Sequence, residues 1–160
     1  MSGMRVREFE AADADAVVAL VRELQVHEAQ YFDRMKPASE IGLWYLDYLL
    51  EDTAKYGGTL LVSEFNGSIA GYASLLANCP EESRDEVPYS FAYVGDLVVG
   101  SRFRRVGVGA ALINACEERA KAAGQRWIRL SVLAANSGSR AFYNKCGYQE
   151  HLIKLEKALP

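Results

Sequence analysis

Gly95-Asp-Leu-Val-Val-Gly-Ser-Arg-Phe-Arg104-Arg105-Val-Gly107-Val-Gly109-Ala-Ala-Leu-Ile113 is an apolar run that passes through a basic, glycine-punctuated turn into a segment of helical periodicity. The pattern predicts a strand, a tight turn and a helix whose first-turn N–H groups lack intrahelical acceptors. Two glycines allow close approach of a ligand to the backbone, and the helix dipole favours negative charge there. Arg102, Arg104 and Arg105 add formal positive charge at the same end. The stretch therefore reads as an anion-binding site, against the plainer alternative of a solvated basic turn before a core helix.

Two familiar phosphate loops are excluded. A Walker loop needs Gly-Lys-Ser/Thr, and no lysine follows Gly107 or Gly109 until Lys121. A dinucleotide fingerprint would place its third small residue at Leu112. What remains, Arg104-x-x-Gly107-x-Gly109, resembles the pyrophosphate loop of the GNAT superfamily of N-acetyltransferases, Arg/Gln-x-x-Gly-x-Gly/Ala between a strand and a helix. The resemblance implies that backbone amides from Arg104 and Arg105 through Val106, Gly107, Val108 and Gly109 to Ala110 hold the pyrophosphate of acetyl-coenzyme A.

A second signature follows downstream. Asn136-Ser-Gly-Ser139-Arg-Ala-Phe142-Tyr143-Asn-Lys-Cys-Gly147-Tyr148 is similar to the family's Asn-x-x-Ser/Ala, Ala-x-x-Phe-Tyr and Gly-Phe/Tyr sequence, in the same order. By that likeness Asn136 and Ser139 hydrogen-bond the cofactor, with helix N-capping as their structural alternative. Tyr143 matches the tyrosine that protonates the departing thiolate, and an aromatic on a core face is its plainer role. The stretch Leu97, Val98 and Val99 matches the strand whose backbone receives the pantetheine arm, so its side chains can be apolar. Many relatives carry Glu-Asp just before this stretch, where the present chain has Gly95-Asp96.

An amine acceptor arrives largely protonated, so a carboxylate must take its proton. Asp96 is the first candidate because it lies in the strand that would carry the acetyl group. Glu28 is the second. Ala14, Val17, Val18, Val21 and Leu24 recur at helical spacing, and the next turn of that face lands on Glu28. Glu23 and His27 point away from the face.

The 160 residues suit one domain spanning 1–160, half of them apolar and 24% charged. A formal net charge of -3 argues against a general nucleic-acid binder and suits an anionic cofactor with a cationic acceptor. Cys79, Cys116 and Cys146 show no paired or metal-ligand spacing, so neither a disulfide framework nor a metal cofactor is expected. Met-Ser-Gly-Met-Arg-Val-Arg at the start has no apolar signal core, and no run approaches a membrane span. A cytoplasmic location is the expectation.

Periodicity and breakers predict strands at 4–9, 59–65, 68–76, 89–99, 126–133 and 148–155, and helices ending at Glu28 and over 40–52, 108–123 and 137–145. Asn66-Gly67 marks a hairpin, Gly124 a helix stop and 78–88 a polar loop. The fold class is α/β (α+β), with a mixed central sheet of about six to seven strands and helices on both faces. Its order, β-α-α-β-β-β-α-β-α-β, is that of the GNAT fold.

Within the family the acceptor side is built by segments corresponding to 28–48 and 78–89, which here are rich in carboxylates and tyrosines. Such a wall suits a small cationic amine, polyamine- or aminoglycoside-like, acetylated by direct attack in a ternary complex. Arg22-Glu-Leu-Gln-Val-His-Glu28 bears a fainter resemblance to the first helix of spermidine/spermine N-acetyltransferases. The alternatives are a protein or peptide amine and a non-catalytic acyl-CoA-binding module. The apolar C-terminal strand offers a surface for a homodimer.

Overall fold

Residues 59–65 read Thr-Leu-Leu-Val-Ser-Glu-Phe, apolar at consecutive rather than alternate positions, as a strand covered on both faces requires. In the computed structural model, which describes residues 3–160, this segment is β2 (Thr59–Phe65). Met1 and Ser2, part of the N-terminal stretch read for a signal core, lie outside the described residues. Leu60 and Val62 enter one core and Leu61 the other. Around β2 stand β1 (Met4–Glu8), β3 (Ser68–Pro80), β4 (Ser90–Val99) and β5 (Ile128–Leu130), in the order β1-β2-β3-β4-β5. Neighbours are antiparallel except β4 and β5, which are parallel. Asn66 and Gly67 at the β2–β3 tip have φ of 49° and 79°, the left-handed pair that a tight hairpin turn demands.

Helices α1 (Ala14–Glu28) and α2 (Leu43–Lys55) cover one face. Val17, Val21, Leu46 and Leu49 pack there against Val62, Tyr72 and Val98. Helix α3 (Val108–Ala122) covers the other face, setting Val108, Leu112 and Cys116 against Leu61, Leu75 and Val94. Each such buried aliphatic side chain contributes about 1.5–3 kcal/mol. Helix α4 (Ser137–Lys145) leans Phe142 and Tyr143 on the margin of this second core. Gly124 (φ 80°) stops α3 as expected: its N–H donates to the Lys121 carbonyl, and that of Gln125 to Ala120.

Among the described residues the sheet has five strands rather than six to seven. Residues 148–155 do not form the expected last strand; beyond Tyr148 the chain runs without regular structure, with Leu152, Ile153 and Leu155 exposed at 83%, 69% and 89%. Alternating apolar residues make a strand only beside an edge that takes up their backbone groups. Here the tail is tied instead by Arg34, whose guanidinium donates to both oxygens of Glu156 at 2.7 and 2.9 Å. β5 is three residues long, not 126–133, because it pairs with β4 only from Ala92 to Val94. Helix α2 begins at Leu43, not 40, because residues 38–40 form a single 3-10 turn and Gly42 is extended. Pairing of Cys79 with Phe91 and Pro80 with Ser90 lengthens β3 into the segment expected as loop.

Candidate active site

The site begins with a fault in the β3–β4 register. Ala73 faces Leu97 and Leu75 faces Val94, so the single residue Ser74 stands opposite two, Gly95 and Asp96. Such a bulge re-aims a side chain out of the regular alternation. The Asp96 N–H donates to Ser74 Oγ at 2.8 Å. On the α1/α2 face the Asp96 carboxylate receives two phenol hydrogen bonds, from Tyr45 of α2 at 3.0 Å and Tyr72 of β3 at 2.8 Å. Both land on Oδ2, leaving Oδ1 free of side-chain donors among the described residues.

Glu28, half-buried on the last turn of α1, completes an acidic pair. Its pKa is raised by burial and then by the negative charge of Asp96. Burial also raises Asp96, against the opposing pull of the Tyr72 and Tyr45 hydrogen bonds. Both carboxyls thus hold a proton more firmly than an ordinary carboxylate, which brings them closer to the basicity a general base needs near neutral pH. The tyrosine hydroxyls are themselves pushed up, chiefly by burial and then by Asp96, and remain donors.

Next to this pair the sheet opens. β5 pairs with β4 only at Ala92↔Ile128, Tyr93↔Arg129 and Val94↔Leu130. Past Val94 the β5-facing edge of β4, through Leu97, Val98 and Val99, has no strand partner among the described residues. An extended ligand can use such an edge as an added strand would. The Val98 side chain is buried in the α1/α2 core, while Leu97 and Val99 lean toward α3.

Beyond Gly100 and a 3-10 turn at Ser101–Phe103 the chain reaches the glycine loop. Arg105 (φ 67°) and Gly107 (φ 92°) are both left-handed. For Arg105 that conformation costs about 1–2 kcal/mol, so surrounding contacts must hold it. The Glu23 carboxylate accepts the Ser101 N–H at 3.0 Å and ties α1 to the 3-10 turn before the loop, a role the helical wheel did not reveal. Gly107 caps α3 without any side-chain hydrogen bond, and the first intrahelical bond is Ala111 N–H to the Gly107 carbonyl. The N–H groups of Val108, Gly109 and Ala110 are therefore left for a ligand. Arg104, Arg105 and Val106 are exposed beside them, whereas the Val108 side chain is in the core. Glycine at 109 also serves α3–α4 packing, since a Cβ there would lie 3.2 Å from the Phe142 ring.

On α4, Asn136 is the N-cap. It is buried, and its Oδ1 accepts the Ser139 N–H at 3.1 Å. That oxygen is committed to the helix, and the half-buried Ser139 hydroxyl is the freer polar group. Tyr143 sits edge-on to Phe142 and Tyr148, with ring centroids at 5.1 and 5.8 Å. Its hydroxyl is pushed up to about 12, mainly by burial, with further contributions from Cys146, Cys116, Asp96 and Glu28. The phenol keeps its proton at neutral pH and feels the acidic pair across the gap. Among the described residues no group of three or more His, Cys, Asp or Glu is placed to hold a metal ion.

Against known families, residues 20–148 match the model of the acetyltransferase (GNAT) family. The chain belongs to the GNAT acetyltransferases. An N-acetyltransferase of Methanocaldococcus jannaschii, uncharacterised, is 32% identical over 107 residues, which cover 67% of this chain and 45% of that relative. The chain thus spans less than half the length of the curated relative it matches. A variant of the BH1408 protein of Bacillus halodurans superposes with a TM-score of 0.84 at 20% identity, covering 98% of this chain and 99% of that one. The yncA protein of Salmonella typhimurium, solved with its cofactor acetyl-CoA, gives 0.68 at 23% identity over 92% of this chain and 80% of its own. At such identities the solved structures establish the GNAT fold. The residues present fit acetyl-CoA, the cofactor solved with the yncA protein: uncapped N–H donors and two arginines for its phosphates, an unpaired β4 edge for its arm.

Tyr45, Tyr72 and Ser74, which hold Asp96, are the functional residues that sequence reasoning missed. A tyrosine within the otherwise small and aliphatic β3 run was the available signal, since a buried phenol needs a partner.

Proposed function

We propose that this GNAT protein acetylates the primary amine of a small cationic acceptor by direct attack in a ternary complex. The observation that carries the reading is the Asp96–Glu28 pair, framed by tyrosines, beside the unpaired edge of β4. Acetyl-CoA supplies the activated acetyl thioester. Backbone groups of 97–99 receive its arm, the amides of 104–110 with Arg104 and Arg105 receive its pyrophosphate, and Asn136 and Ser139 add contacts from α4. Asp96 takes the ammonium proton at Oδ1, with Tyr45 and Tyr72 fixing the carboxylate, and Glu28 beside it attracts the cationic acceptor. Tyr143 holds at its hydroxyl the proton that the departing thiol requires.

Thiol release measured against polyamines, aminoglycosides, amino acids and short peptides tests this reading. Turnover is expected with small cationic amines. Asp96→Asn should lower their kcat/KM by about 10²-fold or more. Because a base works deprotonated and burial raises Asp96, the wild-type rate should rise with pH through an apparent pKa above the ordinary carboxylate value of about 4. A wild-type profile in Asp96→Asn would transfer the role to Glu28, and turnover confined to peptides would replace the acceptor class. Coenzyme binding with no turnover of any amine would leave a binding module.

Three thiols without disulfides suit a reducing cytoplasm, and no helix among the described residues is long and apolar enough to cross a membrane. Among the described residues the sheet ends at β5, whose outer edge is unpaired, and the apolar tail lacks a strand partner. A second copy that pairs the two supplies what each lacks, so light scattering should give the mass of a homodimer, and a monomer would exclude it.

A further inference from the structure

The bulge also leaves a cavity of about 180 Å³ between α2 and strands β3 and β4. It is lined by Tyr48 and Asp52 of α2, Ser74 of β3, and Tyr93, Gly95 and Asp96 of β4, besides two leucines. A single water needs only about 10–15 Å³ by such a measure, so a short methylene chain with a polar end fits.

Gly95 keeps this space open. Its φ is not left-handed, so the backbone does not demand glycine there. A Cβ would lie 2.7 Å from Ser74 Oγ, inside the lining of the cavity. Asp52 faces the same space from one turn beyond Tyr48, the spacing that puts both on one side of α2. Its half-buried carboxylate has no hydrogen-bond or ion-pair partner among the described residues. Asp52 and Asp96 are thus two carboxyls in one cavity, with no cationic side chain in its lining. Tyr48 and Tyr93 add aromatic rings, which attract cations over their faces. The Tyr93 hydroxyl is engaged with Ser131 Oγ at 2.8 Å, which fixes that ring.

We infer that this cavity binds the second, non-reacting ammonium of the acceptor through Asp52, so that the substrate class is a linear diamine or longer polyamine. The inference rests on the reading of the site as a cationic-amine acetyltransferase. With one ammonium held at Asp52, the other end of the chain is left to reach Asp96 and the unpaired edge of β4. An uncharged tail would leave Asp52 unpaired and strip it of water.

Putrescine and n-butylamine, which share a carbon skeleton and differ in the second amine, separate the two ideas. The ratio of their kcat/KM values should exceed about 10 in the wild type, since a hydrogen-bonded charge pair is worth a tenfold change or more. It should collapse toward unity in Asp52→Asn through a raised KM for putrescine. Glu51→Gln removes an exposed carboxylate on the same helix and should keep the wild-type ratio, which excludes a mere change in net charge. Putrescine should also raise the Tm of the wild type but not of Asp52→Asn, a readout independent of turnover. Equal use of both amines by the wild type, or an unchanged ratio in Asp52→Asn, overturns the subsite and leaves the acetyltransferase reading intact. Turnover of neither amine by the wild type, alongside turnover of another cationic amine such as an aminoglycoside, overturns the subsite alone, and turnover of no small cationic amine overturns both.

Discussion

Tyr143→Phe is expected to lower kcat by about 10²-fold or more while leaving acetyl-CoA affinity unchanged, the scale of a lost general acid. The substitution removes one hydroxyl and keeps the ring. The edge-on contacts with Phe142 and Tyr148, and the packing of α4 on the second core, are therefore preserved. Burial pushes the wild-type phenol up to about 12, so it is a reservoir of a proton across the whole working range. Its ionisation should leave no basic limb in the wild-type rate below that pH. Single-turnover thiol release from preformed complexes isolates the step. Wild-type-like turnover in the variant would reduce Tyr143 to an aromatic of the core margin.

Gly107→Val should weaken acetyl-CoA binding by about 10²-fold or more, measured by calorimetry on folded protein. At φ 92° a β-branched residue is strongly disfavoured, so the loop must rearrange. Rearrangement disperses the N–H groups of Val108, Gly109 and Ala110, and each hydrogen bond to a charged phosphate is worth about 1.5–3 kcal/mol. Gly124→Val is the matched control. It imposes the same kind of strain at φ 80°, at the far end of α3, with nothing near its Cβ. It should lose stability and keep the coenzyme. Normal affinity in Gly107→Val would sink the pyrophosphate assignment.

What could be foreseen along the chain shares one property. The hairpin at Asn66-Gly67, the stop at Gly124, the inward face of α1 ending on Glu28 and the glycine loop before α3 are each written in a few contiguous residues. Dihedral preference and period act within that range. The expected strand at 148–155 went wrong for the converse reason. Alternation states which face would be buried, but not whether an edge is there to pair with.

The sequence by itself determined the family, through two motifs in order, and with it the residues proposed to meet the coenzyme and the two candidate carboxylates. Only the tertiary structure decided what environment those carboxylates have. Tyr45 and Tyr72 reach Asp96 from 51 and 24 residues away, and no local period announces that meeting. The bulge that aims Asp96, and the cavity that Gly95 leaves open before Asp52, arise from the register of β3 on β4. Register is a property of two strands together, set by how their side chains fill the cores on either face, and neither strand carries it alone.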